Sequence, residues 1–268
     1  MVSAGPLGPP DVTPPDRRLV LLGASNLTRG ISTVVETASL TWGRPLDVLA
    51  AMGHGRSYGQ RSTVLGRGLP GIVECGLWRA LADRPRGPAA ALLTDVGNDL
   101  FYEVPVERIA SWVETCLERL ARIEARIVMT RMPVANLETV APWQFRLMRA
   151  LFFPMCRLAF DEVARRALAL DERLCRLARE HGCCLVEHRA EWYGLDPIHI
   201  KLGHSPAAWC ELLGSWAQQA LPAPASSSFS RWFYLRLLAP ELRWWFGIPR
   251  RSAQPSGLLP DGTTISLY

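Results

Sequence analysis

Lysine is nearly missing from this chain: Lys201 is its only one among 30 basic residues, and the rest are arginines. Long apolar runs are missing too. None reaches the roughly 18 residues that a membrane-spanning helix needs, which excludes helical passage through a bilayer and leaves only attachment to its surface. The first fifteen residues hold five prolines and no apolar core of a secretory signal, so they read as an irregular leader and the expected location is the cytoplasm. Metal-binding cysteine pairs are also missing. Cys75, Cys116, Cys156, Cys175, Cys183, Cys184 and Cys210 include no C-x-x-C pair, and adjacent Cys183 and Cys184 are poorly spaced for zinc. Unpaired, buried thiols and no metal are expected. No basic block is found either: the net charge is +5, but arginines are scattered among glutamates along helical stretches, which argues against nucleic acid as a partner.

What is present suffices for a core. With 268 residues, 49% hydrophobic and 21% charged, the chain supports one domain of about 200 residues and not two. Short apolar runs at residues 18–22, 45–50, 89–94, 125–129 and 183–186 read as strands. Helical patterns lie between them. Pro105 opens one whose Val106, Ile109, Val113, Leu117 and Leu120 form an apolar stripe, and another covers residues 161–180 before Gly182 lets the chain turn. Strands alternating with helices predict a parallel sheet covered on both faces, with ligands gathered at the carboxyl ends of the strands.

Four polar turns fall at those ends. Ser25 follows the first strand, where small residues allow a tight passage into a helix. Its hydroxyl at that rim suits a nucleophile, and a plain helix cap is the competing reading. Asp196 precedes His199 by three residues, so its carboxylate can curl onto Nδ1 and leave the imidazole as the base for Ser25; a turn with a helix-flanking histidine is the alternative. The carboxamide of Asn98 and the N–H groups of Gly55 and Ser25 are candidate oxyanion donors. Each also has a structural explanation, Gly55 as a turn former and Asn98 as a loop tie. His54 and Arg131, at the rims of the second and fourth strands, are candidate substrate contacts.

Together these segments resemble the SGNH, or GDSL-like, hydrolase superfamily, which draws Ser, Gly, Asn and His from four separated blocks. Gly23-Ala24-Ser25 looks like its nucleophile block, with Ala24 where aspartate is usual. The turn containing Gly55 looks like the second block, and Gly97-Asn98-Asp99 like the third, with Val96 where the first glycine of G-x-N-D is preferred. Asp196-Pro197-Ile198-His199 is similar to the final D-x-x-H block.

The resemblance spans residues 18–221. It implies a three-layer α/β/α sandwich, flavodoxin-like, with a five-stranded parallel sheet, an open site and no metal. It also implies a serine ester hydrolase working through a covalent acyl-enzyme and needing no cofactor. Substrates expected are small-molecule, carbohydrate or lipid esters, among them O-acetyl and short acyl esters. An acyltransferase on the same scaffold and an inactive binding or scaffold protein are the alternatives. Residues 131–154, rich in apolar side chains that include Phe145 and Phe152, are expected to wall the acyl site, with packing into the core as an equal alternative.

The expected organisation is a leader at 1–16, the hydrolase domain at 17–221, a linker at 222–230 and an aromatic, arginine-rich extension at 231–268. Three fates are open for the extension. It folds back on the domain or onto a second subunit, the favoured reading, it makes peripheral contact with an anionic membrane, or it is a disordered tail.

Overall fold

The computed structural model describes residues 13–134, 142–194, 196–217, 223–225 and 228–268. Most of the leader and part of the linker therefore lie outside the described residues. Strand β1 (Arg18–Leu22) is buried at all five positions because it pairs in parallel on both edges, with β2 (Asp47–Ala51) and β5 (Ala89–Leu93). The register sets Leu22 beside Ala51 on one edge and Leu93 on the other. Burial on both faces explains why these strands, after the paired Arg18 and Asp47 that open β1 and β2, run apolar rather than alternating.

Alternation still decides which layer each side chain enters. Leu19 and Leu21 pack with Ile31 and Val34 of α1 (Ser25–Thr41) and with Trp209 and Leu212 of α7 (Ser205–Leu213). Val20 and Leu22 face the other way, toward Ile109, Val113 and Leu117 of α4 (Val106–Ala121) and Leu170 and Leu174 of α6 (Phe160–Glu180). The helices are thus split between the two faces of the sheet. Helix α1 approaches α7 so closely that a Cβ on Gly30 would lie 2.2 Å from the Trp209 indole nitrogen, which fixes glycine there.

On the far side of β5 the sheet continues through β6 (Arg126–Thr130) and β7 (Cys184–Val186), both parallel. The five expected strands are all present, but among the described residues the sheet has seven. Strand β11 (Thr264–Leu267) adds in parallel to β2, and β10 (Gly257–Leu258) pairs with it antiparallel, giving the order β10-β11-β2-β1-β5-β6-β7. The α/β class stands, with the sheet mixed rather than wholly parallel. The physical reason is that β2 would otherwise be an edge strand with all five residues apolar or buried, and β11 covers that edge.

A second, four-stranded antiparallel sheet joins β3 (Ser62–Val64) and β4 (Arg67–Leu69) to β8 (Leu242–Trp245) and β9 (Ile248–Arg251). Helix α8 (Phe229–Leu237) lies on α1, where Arg231 pairs with Glu36 and the Trp232 indole donates to the Arg29 carbonyl at 3.4 Å. The 231–268 segment is therefore built into both sheets. All seven cysteines are unpaired; Cys75, Cys116 and Cys156 are buried, whereas Cys184 is exposed, contrary to the expectation of burial, because β7 is an edge strand. Among the described residues no helix is long and apolar enough to cross a membrane.

Candidate active site

Ser25 is the first residue of α1, immediately after Ala24, and sits at the carboxyl end of β1. The turn is held from another loop. Asp95, following β5 with φ +59°, accepts the main-chain N–H of Ala24 at 2.9 Å, of Asn26 at 3.0 Å and of Leu27 at 3.2 Å. The N–H of Ser25 is not among its donors. Asp95 thus satisfies the start of the helix from across the rim, a task that no side chain of the turn performs. Ala24, where the resemblance expects an aspartate, is itself buried.

Gly55 turns with φ +61°, and its carbonyl accepts the Tyr102 hydroxyl at 2.5 Å. A Cβ there would lie 2.5 Å from a Val64 methyl. The carboxamide of Asn98, first residue of α3 (Asn98–Phe101), donates to the Arg56 carbonyl at 3.4 Å, which turns it toward the Gly55 loop. Asp99 binds that loop from below, accepting from the Ser57 hydroxyl and from the Tyr58 N–H at 2.8 Å. Burial pushes the Asp99 carboxyl up to about 6, against the pull of those two bonds. Val96 lies in the core and lines neither cavity described below, so its departure from the family pattern leaves the rim open.

His199 Nδ1 lies 2.6 Å from Asp196 Oδ2. The other Asp196 oxygen accepts the N–H of Ile198 at 3.1 Å and of His199 at 3.3 Å, so the carboxylate curls back on its own turn. Desolvation opposes its ionisation, but the His199 bond, the His199 charge and the two N–H donors hold the carboxyl below its usual value.

Two cavities meet at Ser25. A small one, about 110 Å³, runs between Ser25 and Asn98 and the apolar side chains of Phe101, Phe145, Phe160 and Val163. A larger one, about 880 Å³, holds Ser25, Gly55, Asn98, Asp196 and His199 in its wall, together with His54. The structure therefore brings all five proposed chemical residues and His54 onto one cavity.

Phe145 is in the small cavity, with its ring edge-on to Phe160 at 5.2 Å between centroids. Of Phe152 the side chain lies outside the described residues; its neighbour Phe153 stacks on Phe101 at 4.6 Å and reaches the larger cavity. Arg131 borders the small cavity, but its guanidinium is engaged by Asp171 at 2.6 Å and Glu187 at 3.2 Å, so its charge is already compensated.

Sequence reasoning missed several residues. Asn26 carries no signal of its own beside Ser25, yet its carboxamide donates to Asp95 at 2.9 Å and to the Ile198 carbonyl at 2.8 Å and accepts the Ile200 N–H at 2.9 Å. Arg67 and Arg236, from β4 and α8, line the larger cavity and carried no local signal. Fully buried Arg56 also went unnoticed; it donates to the main-chain oxygens of Pro70 at 3.1 Å, Met52 at 3.3 Å and Tyr268.

The sequence matches no family model and no curated protein. Among solved structures, the chain is similar to the psychrotrophic esterase EstA from Pseudoalteromonas sp., with 11% identity, 74% of this chain and 97% of that one covered, and TM-score 0.47. It is similar to TesA at 13% identity over 76% of this chain and 99% of that one, with TM-score 0.48. It is also similar to AlinE4, an SGNH-hydrolase family esterase, at 18% identity over 65% and 77% of the two chains, with TM-score 0.40.

Proposed function

We propose that this chain is an SGNH-type serine ester hydrolase in which Ser25 is the nucleophile, His199 the base and Asp196 its orienting partner. The observation that carries this reading is the convergence of Ser25, Gly55, Asn98 and His199 on one cavity, with Asp196 2.6 Å from the histidine Nδ1. A solvated turn with a bystander histidine has no need of that constellation.

In this mechanism Asp196 holds the imidazole so that Nε2 accepts the Ser25 proton as Oγ attacks the ester carbonyl. The N–H groups of Ser25 and Gly55 and the Asn98 carboxamide receive the oxyanion, and each such donor contributes on the order of 3 kcal/mol to the transition state. That Asp95 spares the Ser25 N–H supports its assignment as a donor. His199 then gives its proton to the leaving alkoxide, and the same residue activates water to release the acid from Ser25.

The acyl group enters the small cavity, whose apolar rings suit a short hydrocarbon chain, and the alcohol half occupies the larger one. The test is Ser25→Ala assayed with p-nitrophenyl acetate beside circular dichroism. The reading expects a folded protein with turnover reduced at least a thousandfold and no labelling by a fluorophosphonate. Activity near wild type in that folded variant rejects it.

A further inference from the structure

The larger cavity is cationic in a way the proposed chemistry does not require. Arg29, Arg67 and Arg236 line it together with His54 and the Trp245 ring. Arg29 has a counter-charge, Asp196 at 3.9 Å. Arg67 and Arg236 have none: among the described residues no carboxylate pairs with either. The Nε of Arg67 is buried without a hydrogen-bond partner, and so is that of Arg243, which lies on β8 beside β4.

Other enclosed arginines have carboxylate or main-chain partners, although Arg18 Nε and Arg56 Nη2 likewise lack a hydrogen bond. Arg18 and Arg84 share Asp47, Arg131 has Asp171, Arg231 has Glu36, and Arg56 is held by main-chain oxygens. The pair facing the site, half-buried Arg67 and exposed Arg236 over the Trp232 ring at 5.0 Å, has no carboxylate partner. Its cost is visible in two side chains. Burial, then the Arg243 and Arg236 charges, press the Arg67 guanidinium below its usual range. His54 falls to about 4, first through desolvation by the cavity walls and then through Arg236, His199, Arg67 and Arg29. At neutral pH His54 therefore adds no charge of its own, and the field belongs to the arginines.

A guanidinium presents a planar fork of donors that matches an oxyanion, and a phosphate can accept from more than one such fork at once. The position of the forks decides which half of the substrate they meet. They lie in the open cavity, whereas the apolar one on the other side of Ser25 has only Arg131 nearby, already paired.

We infer that Arg67 and Arg236 form a subsite for a phosphate group carried on the alcohol half of the ester. This deepens the hydrolase reading and rests on it for the direction of the substrate. The product leaving this side is then a phosphorylated alcohol, and the acid leaves from the apolar side. The phosphate has two possible sources, a soluble phosphorylated alcohol or a phospholipid headgroup, and both present the same chemistry to the arginines.

Binding and turnover are measured separately so that the two readings fail separately. Phenyl phosphate is titrated calorimetrically into the full-length Ser25→Ala protein, alone and combined with Arg67→Gln and Arg236→Gln, with melting curves confirming that each variant folds. The expected result is millimolar or tighter binding, weakened at least tenfold by either arginine substitution. No binding by the folded parent, or binding indifferent to both substitutions, overturns the subsite whether or not the protein is a hydrolase.

In the active protein, kcat/KM for 4-acetoxyphenyl phosphate is compared with that for phenyl acetate. A preference for the phosphorylated ester of tenfold or more, which collapses in Arg67→Gln and Arg236→Gln, supports the proposal. Turnover of phenyl acetate with no such preference overturns the subsite and leaves the hydrolase reading intact. Co-sedimentation of wild type with phosphatidylglycerol vesicles, lost in the double arginine variant, assigns the phosphate to a headgroup. Phenyl phosphate binding without sedimentation assigns it to a soluble alcohol.

Discussion

The Asn26 carboxamide donates to Asp95 Oδ1 at 2.9 Å across 69 residues of sequence, and through this bond the serine turn and the loop after β5 become one unit. Asn26 extends the unit further. It donates to the Ile198 carbonyl and accepts from the Ile200 N–H, so it grips the chain immediately before and after His199. A residue adjacent to the nucleophile therefore sets the backbone of the base. Asp95 holds a left-handed conformation that costs a non-glycine residue on the order of 1 kcal/mol, and its four hydrogen bonds offset that strain.

Asn26→Ala should leave substrate binding largely intact while loosening His199 relative to Ser25. The expected outcome is a fall in kcat of about ten- to a hundredfold, the scale of a catalytic group displaced by about 1 Å, with KM changed less than threefold. Steady-state kinetics on p-nitrophenyl acetate check it, with a melting curve to separate misplacement from unfolding. A change in KM alone would contradict a positioning role.

Chain-length preference should follow the small cavity. Val163→Phe places a ring where Ser25 would deliver the acyl chain and should restrict turnover to acetate. Phe145→Ala opens the same space and should shift the optimum toward longer chains, with a loss of about 3–5 kcal/mol in stability from the vacated core. The p-nitrophenyl ester series from acetate to octanoate measures both, and identical profiles for all three proteins would separate this cavity from acyl recognition.

Stability should decline as pH falls from about 6.5 toward 4. His188 is enclosed beside the small cavity with Nδ1 2.7 Å from the Tyr193 hydroxyl, and burial lowers its pKa from 6.5 to about 4, with Asp95 and Asp171 offsetting only part of the effect. The unfolded chain then binds more protons than the folded one within that window, so acid favours unfolding by up to about 3 kcal/mol for this group. Asp99, raised to about 6, acts in the opposite direction between about 6 and 4 and softens the decline. Urea denaturation at pH 7 and pH 4.5 should show wild type losing more stability than His188→Gln. Equal losses would remove His188 as the source.

Asp47→Ala should destabilise by about 3–5 kcal/mol, because it leaves Arg18 and Arg84 enclosed without their counter-charge and removes the acceptor of the Thr264 hydroxyl at 3.1 Å. Replacing Arg79, whose 2.7 Å pair with Glu241 is largely exposed, should cost under about 1 kcal/mol. Melting temperatures of the two variants check the contrast.

Much of the core was legible because it is written locally. Residues 19–22 and 89–93 are apolar throughout, as strands buried on both faces must be, and the Val106-to-Leu120 stripe has helical spacing. Strands β10 and β11 were not legible: Gly257–Leu258 and Thr264–Leu267 are too short to show a period, and β11 pairs with a strand more than two hundred residues earlier. The rim followed the same division. Ser25, Asn98 and the Asp196-His199 pair stand in recognisable turns, whereas the task of Asp95 depends on a φ of +59° and on amides from a different loop. Phe153, just past the end of α5 (Pro142–Phe152), reaches the larger cavity, a matter of helix phase that apolar content does not specify. Arg67 and Arg236 are ordinary arginines until β4, β8 and α8 bring them together.

The bond from Arg56 to the main-chain oxygen of Tyr268 spans 212 residues and has a consequence for the order of synthesis. Arg56 follows Gly55, so the turn assigned to the oxyanion leans on a segment made long after it. At about 5–20 residues per second, that interval lasts on the order of ten to forty seconds. Throughout it, the nascent chain carries the nucleophile turn but lacks the strand that covers β2, leaving an apolar edge open to wrong pairing. The site must therefore wait until β11 has been made, and a ribosome that stalls short of it leaves a chain with the residues for the chemistry but without the frame that aligns them.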